Sequence, residues 1–135
     1  MANHAVIHEL QKNKALEKEK RLKKIVELGE VVHKNLLKDN FNGREFLGIS
    51  AQILAVDQEI YRLSKAIIEQ HAINSMCTKC QQPIDEKANF CGRCGQENQL
   101  LGLQSTELKK CTTCNEMVEN TSIYCPCCGS NIGWY

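Results

Sequence analysis

Apolar residues recur at alternating steps of three and four between residues 46 and 67, which is the heptad spacing of a helix packed lengthwise against another helix. Upstream, from about His8 to Lys38, the chain holds strong helix formers, no proline, and apolar residues on one face at helical spacing. The first helix places Leu22, Ile25, Val26, Val32 and Leu36 on this face, and the second places Phe46, Ile49, Ile53, Val56, Ile60, Leu63 and Ile67. The pattern predicts two amphipathic helices.

The segment from Asp39 to Glu45 separates the two helices and carries turn residues. Asn42, with Glu45 three residues later, is typical of an N-cap pair at the start of a helix. A short turn between two helices makes them antiparallel neighbours. The N-terminal part of the chain is therefore predicted to be an antiparallel helical hairpin with coiled-coil-like packing.

Further apolar residues lie beside these two seams. On the second helix they recur at strict seven-residue intervals, as Leu47, Leu54, Tyr61 and Ile68. On the first helix they are Leu28, Val31 and Leu37. Two helices bury only one seam, so the surplus indicates further burial. The simplest solution is a homodimer in which two hairpins form a four-helix assembly. Docking of the hairpin on the C-terminal part of the chain, or on another protein, remains open.

The composition changes sharply near Asn74 and Ser75, because all nine cysteines lie between Cys77 and Cys128. The first ten residues lack the features of a secretory signal, and no stretch is long and apolar enough to cross a bilayer. We therefore expect a cytoplasmic protein. In a reducing compartment an odd number of clustered cysteines favours metal ligation over disulfide bonds.

The cysteine-rich part is an internal repeat of 34 residues, which superposes Cys77 on Cys111 and Phe90 on Tyr124. In this register Cys127 falls opposite Arg93, which cannot be a ligand in the first copy, so Cys127 is the spare cysteine. Eight candidate metal ligands remain, four in each copy. They are Cys77, Cys80, Cys91 and Cys94, then Cys111, Cys114, Cys125 and Cys128.

This spacing suits a four-sulfur metal site. Two cysteines separated by two residues direct both sulfurs inward around a tight turn, and a glycine after the pair supplies the positive φ that closes it. Ten residues between the pairs are enough for a strand, a polar turn and a return strand, with one aromatic residue beside the metal. A unit this small orders itself with the help of a metal, since structural zinc contributes about 10 to 16 kcal/mol in comparable peptides.

The pattern Cys-x2-Cys-x9-[Phe/Tyr]-Cys-x2-Cys-Gly, present twice within residues 76 to 135, resembles the double zinc ribbon family. The resemblance implies two structural Zn²⁺ ions per chain, each held by four cysteines. Iron in a rubredoxin-like site and a metal-free thiol cluster are the alternatives. Many ribbons also carry glycine after the first cysteine pair, where this chain has Gln81 and Asn115, so we expect the first turns to be less tight.

The predicted fold class is therefore α plus small β: a helical hairpin (1–75), ribbon 1 (76–99), a linker (100–109) and ribbon 2 (110–135). Leucines at positions 100, 101 and 103 are expected to form a final strand of ribbon 1 and a connector. Trp134 is expected to cap the small core of ribbon 2, with an exposed anchor for a partner as the alternative.

Charge decides between the functions that such ribbons serve. Residues 76–135 hold five basic and six acidic residues, and each zinc with four thiolates adds −2. The metallated ribbons thus carry −5, and the formal +1 of the whole chain becomes about −3. Nucleic-acid binding needs a basic surface, so the ribbons are not expected to bind DNA or RNA.

Two functions remain as hypotheses. The first is a non-enzymatic interaction or adaptor protein whose hairpin oligomerises or docks. The second is a nucleic-acid or transcription-associated factor that uses the stretch Lys12 to Lys24, which has seven basic and two acidic residues. A solvated helix face is the simplest interpretation of that stretch. The sequence contains no nucleophile with a paired base and no phosphate-binding glycine loop, so no catalytic residue is predicted.

Overall fold

Two long helices form the N-terminal part of the chain. In the computed structural model, which describes residues 2–39, 41–85, 87–103 and 107–133, α1 spans Ala2–Leu37 and α2 spans Leu47–Ile73. α1 begins well before the predicted start at His8, because nothing in its first residues breaks a helix. No helix within these ranges is long and apolar enough to cross a membrane.

The turn between the helices contains the predicted cap. Asn42 precedes a short 3₁₀ helix, Gly43–Phe46, which leads directly into α2. The Asn42 side-chain oxygen accepts a hydrogen bond of 3.2 Å from the Arg44 amide. Glu45 instead accepts a hydrogen bond of 3.1 Å from the Asn35 side chain, so it ties the turn to α1. The antiparallel hairpin predicted from the sequence is confirmed.

The seam of α2 is also as predicted, since all seven of its apolar positions are buried or half-buried. Polar pairs fix the register of α1 against α2. Arg21 forms an ion pair with Asp57, and the Lys24 ammonium donates to the Gln52 side chain at 2.9 Å. These pairs join successive turns of two helices that run in opposite directions.

Most of the predicted face of α1, by contrast, is exposed, although its member Val32 is half-buried. Leu22, Val26 and Leu36 are 64%, 53% and 58% exposed. The pairs of Arg21 with Asp57 and of Lys24 with Gln52 set the rotation of α1 about its axis. In this rotation the more apolar face of α1 is exposed. The prediction was wrong for these three residues, because the spacing of apolar residues carries no information about polar pairs between distant residues.

Both ribbons contain little regular structure. In ribbon 2, β1 (Leu108–Lys110) pairs antiparallel with β2 (Met117–Glu119), with Lys109 opposite Val118. Among the described residues of ribbon 1, isolated bridges join Met76 to Pro83 and Phe90 to Glu97. The molecule is thus α plus small β, as predicted.

The expected final strand of ribbon 1 is absent from the described residues around position 100. A 3₁₀ helix, Gln99–Leu103, takes its place and buries Leu100 in the small core of ribbon 1. The side chain of Asn98 starts this turn by accepting a hydrogen bond of 3.1 Å from the Leu100 amide. Asn and Asp side chains commonly start such turns, and here this local bond replaces a strand. Trp134 lies outside the described residues.

Both ribbons pack on the same flank of α2. Ribbon 2 covers Leu54 and Tyr61, and ribbon 1 covers Ile68 and Ala72, so the chain doubles back along its own helix. Three members of the seven-residue stripe predicted from the sequence therefore contact the ribbons, whereas Leu47 is 65% exposed. Docking within the chain accounts for that part of the surplus apolar surface.

Candidate metal centres

Each metal centre is built from two tight turns of the same geometry. In each turn the amide four residues after the first cysteine donates to that cysteine's carbonyl oxygen at 2.9 to 3.0 Å. The residue after each pair has positive φ: +59° at Gln81, +72° at Gly95, +63° at Asn115 and +79° at Gly129. The expectation of looser first turns is therefore wrong. Gln81 and Asn115 adopt the left-handed conformation despite its cost for residues with a Cβ.

These turns bring the predicted ligands into two groups of four sulfurs. Within each group all ligand atoms lie within 4.8 Å of one another. The sulfur–sulfur distances include 3.6 Å between Cys77 and Cys94 and 3.7 Å between Cys114 and Cys125. A tetrahedral site with metal–sulfur bonds of about 2.3 Å has edges of about 3.8 Å. The sulfurs are therefore spaced for a tetrahedral metal, and they are too far apart for disulfide bonds.

Comparison with known families agrees with this geometry. Residues 77–129 match the family model described as double zinc ribbon. This part of the chain is similar to the double zinc ribbon family, and we refer to residues 77–129 by that name. No curated protein and no solved structure matches the chain. Two groups of four cysteines, each positioned to bind one metal ion, fit two zinc ions per chain.

The double zinc ribbon favours thiolate at selected cysteines. The backbone amides of Cys94 and Arg93 point at the Cys91 sulfur, the latter at 3.4 Å, and lower the pKa of Cys91 to about 6. Burial opposes ionisation at Cys111, but the Cys114 amide and the Ser130 hydroxyl outweigh it and lower the pKa of Cys111 to about 6. Burial raises the pKa of Cys114. Four adjacent thiols cannot all ionise alone, and a divalent cation supplies the missing positive charge.

The apolar cores of the two ribbons are small and follow the repeat. Ile84 and Val118 occupy equivalent positions and are 8% and 0% exposed. The two ribbons differ in the polar group that closes them. In ribbon 1 the buried Asn98 amide donates to the Ala88 carbonyl at 2.8 Å. In ribbon 2 the Lys109 ammonium donates to two carbonyls at 3.0 Å.

The spare cysteine and the repeated aromatic residue occupy unexpected environments. Cys127 lies outside both four-sulfur groups and is buried in the core of ribbon 2. Burial raises its pKa to about 11. Phe90 and Tyr124, expected beside the metal, are 62% and 63% exposed. The double zinc ribbon therefore presents one aromatic ring per repeat to solvent.

Hydrogen bonds from α2 hold ribbon 2 in place. Gln58 donates to the Cys114 carbonyl at 2.8 Å, and the Tyr61 hydroxyl donates to the Met117 carbonyl at 3.0 Å. The Lys65 ammonium donates to the same carbonyl at 3.2 Å. Sequence reasoning missed these roles, because only the seven-residue spacing of Tyr61 indicated that this flank is buried.

Part of the basic stretch of α1 lies against the two ribbons. Lys14 and Lys18 line a groove with Thr78 and Lys79 of ribbon 1. Lys18 and Arg21 line a second groove, which also includes residues 125–129 of ribbon 2. A zinc ion with four thiolates carries −2. These cations therefore line grooves beside two ribbons whose metal centres carry negative charge, a placement that the sequence did not indicate.

Proposed function

We propose that the protein is a non-enzymatic, zinc-dependent interaction or adaptor protein. In this proposal two zinc ions keep the double zinc ribbon rigid, and the helical hairpin mediates self-association or docking. The observation that carries the proposal is the pair of four-sulfur centres packed against one flank of α2. In this proposal α2 supports two ribbons that have very small cores of their own.

The chemistry of the centres supports a structural role for the metal. Catalytic zinc sites keep a coordination position open for water or substrate and usually include a histidine or a carboxylate. Here each group supplies four sulfurs, which complete a tetrahedral shell. Such a site fixes the chain around it. We therefore propose that the metal stabilises surfaces and does not take part in a reaction.

The exposed surface supports a protein partner over a nucleic acid. Phe90 and Tyr124 stand exposed at equivalent places in the two ribbons, and exposed aromatic rings are enriched in protein interfaces. The metallated ribbons carry a net negative charge, which opposes phosphate binding. On α1, Lys20 and Lys23 pair with acidic residues of the same helix, and Arg21 pairs with Asp57. Fewer cations are then left to contact an anionic partner.

Metal-dependent capture in the native cell tests the proposal. A tagged wild-type chain and a tagged variant with Cys77→Ser and Cys111→Ser are purified from cells that express each at the natural level. We expect a reproducible set of proteins with the wild type, resistant to nuclease and lost with the variant. The proposal also places the protein in the cytoplasm, where reducing conditions keep the eight thiols available for metal.

The competing nucleic-acid function has its own assay. Purified protein is applied to a heparin or nucleic-acid column at low and moderate salt, beside a variant in which Lys12, Lys14 and Lys18 are replaced by glutamine. The interaction proposal predicts that both elute together at moderate salt. Retention of the wild type that disappears in the variant, together with nuclease-sensitive capture, would overturn it.

A further inference from the structure

The outward face of α1 carries a second heptad seam. We call it the outer stripe: Leu22, Val26, Gly29, His33 and Leu36, which alternate steps of four and three. All five are exposed, and the three aliphatic members are more than half exposed. Alternating steps of this kind place residues on one line along a helix, where a second helix can pack. Within the described residues, the polar pairs with α2 lie on another side of α1.

The exposed apolar area around the outer stripe is large. Leu22, Ile25, Val26, Leu36 and Leu37 of α1 are between 37% and 74% exposed, and Phe41 and Leu47 at the tip of the hairpin, counted with them, are 59% and 65% exposed. At about 100 Å² for a fully exposed apolar side chain, they present roughly 400 Å². Interfaces are about 57% apolar, so this corresponds to roughly 700 Å² for each partner. A standard interface buries about 800 Å² for each partner. The face has the area of a dimer interface.

We infer that the outer stripe binds the outer stripe of a second copy of this chain, antiparallel, about a two-fold axis at Gly29. This inference rests on the proposed role of the hairpin in self-association, and it names the surface. In this register Leu22 lies opposite Leu36 of the second copy, and Gly29 lies opposite itself. A two-fold interface requires this self-complementarity.

Gly29 suits the position where the two helices cross. A glycine inside a helix costs about 0.5 to 1 kcal/mol relative to alanine, so it needs a reason. Among the described residues there is none, because a Cβ at Gly29 would meet nothing within 4 Å. At a crossing point, the missing side chain lets two helices approach closely.

The same register brings the tip of one hairpin to the groove beside ribbon 2 of the other copy. The tip holds Leu37, which is 74% exposed, and Asp39. The groove holds Lys18, Leu22 and Pro126 and has a volume of about 620 Å³. A leucine that enters this groove meets apolar wall residues, and Asp39, which the register places level with Glu19, lies one position from Lys18. The exposed leucine of the tip and the apolar wall of the groove are therefore complementary at both ends of the stripe.

A matched pair of valine variants tests the interface in the full-length zinc-loaded protein. Val26 lies on the outer stripe, and Val31 is a 41%-exposed valine off it. Each is changed to glutamate, and mass is measured by analytical ultracentrifugation and native mass spectrometry. We expect the wild type and Val31→Glu at twice the 15.3 kDa chain mass. Val26→Glu should dissociate with a constant raised roughly 100-fold, since both copies bury a carboxylate. Unchanged circular dichroism and two zinc ions per chain confirm that the variants are folded.

A charge exchange tests the antiparallel register. Asp39→Lys and Lys18→Glu are each expected to weaken the dimer roughly tenfold, and the double variant is expected to restore it. A monomeric wild type, or equal effects of the two valine variants, would overturn the interface. A double variant weaker than both singles would overturn the register. If the wild type is a monomer and still captures the same metal-dependent set of proteins from the cell, this inference is refuted and the proposed interaction function stands.

Discussion

Replacing one ligand of ribbon 1, as in Cys77→Ser, is predicted to unfold that ribbon alone. Apart from its cysteines, the buried apolar residues described in ribbon 1 are Ile84 and Leu100. At about 1.5 to 3 kcal/mol for each buried side chain, they contribute about 3 to 6 kcal/mol. Structural zinc contributes about 10 to 16 kcal/mol in comparable peptides. The stabilisation by zinc is larger than that by the two apolar side chains by a factor of about two or more. A site left with three thiolates is therefore expected not to keep ribbon 1 ordered.

Ribbon 2 is expected to survive this change, because its contacts with α2 are separate. It packs on Leu54 and Tyr61, whereas ribbon 1 packs on Ile68 and Ala72. Native mass spectrometry should therefore show one zinc ion per chain. Hydrogen exchange should show lost protection in residues 77–103, with protection retained in residues 107–133 and in both helices.

The matched control is Cys127→Ser, which makes the same chemical change at a cysteine outside the four-sulfur groups. Two outcomes would refute the reasoning. If Cys77→Ser keeps two zinc ions and full protection, the metal is not what orders ribbon 1. If it loses both zinc ions, the two ribbons fold as one cooperative unit and the separate contacts on α2 do not isolate them.

Four further changes give distinct results. Cys127→Ser should retain two zinc ions per chain by elemental analysis; a loss of one would make Cys127 a ligand. Gln81→Gly should raise the free energy of unfolding by about 1 kcal/mol in urea, since glycine adopts a φ of +59° without strain; a decrease would contradict this. Tyr61→Phe should lower the free energy of unfolding by about 0.5 kcal/mol, the low end for a hydrogen bond, because Lys65 still donates to the same carbonyl. A decrease above about 2 kcal/mol would show that the Tyr61 hydroxyl contributes more than this one bond. His71 is fully buried, and burial, followed by the nearby His4, lowers its pKa. The free energy of unfolding of the wild type should therefore fall relative to that of His71→Leu as the pH drops below 6.5. Urea unfolding at pH 7.5 and 5.5 measures this, and an equal change in the two proteins would refute it.

The repeat and the α2 seam could be predicted because both depend on local spacing. Cys77 and Cys80 are held by one turn, and the same turn recurs after 34 residues, so their chemistry could be deduced from position alone. The heptad of α2 identified its buried face because a long helix presents the same side at every seventh residue. The eight predicted ligands occupy the two four-sulfur groups for the same reason.

The orientation of α1 could not be predicted from spacing. It depends on pairs such as Arg21 with Asp57, which are 36 residues apart and polar, whereas the apolar pattern favours a neighbouring face of the helix. The partner of the α2 flank was likewise open, since Leu54 and Tyr61 could have met a second copy, another protein or the ribbons. Exposure of Phe90 and Tyr124 depends on the path of each ribbon around its metal, which cysteine spacing does not specify.

The order in which the ribbons lie on α2 has a consequence for synthesis. Ribbon 2 leaves the ribosome after ribbon 1, yet it covers the earlier turns of the helix: the Gln58 side chain donates to the carbonyl of Cys114, 56 residues later. Leu54 and Tyr61 therefore stay uncovered until the four cysteines of ribbon 2 have emerged and received their ion. A chain synthesised without enough zinc would leave this apolar flank of α2 exposed, and chaperones or proteases would bind it before any partner did.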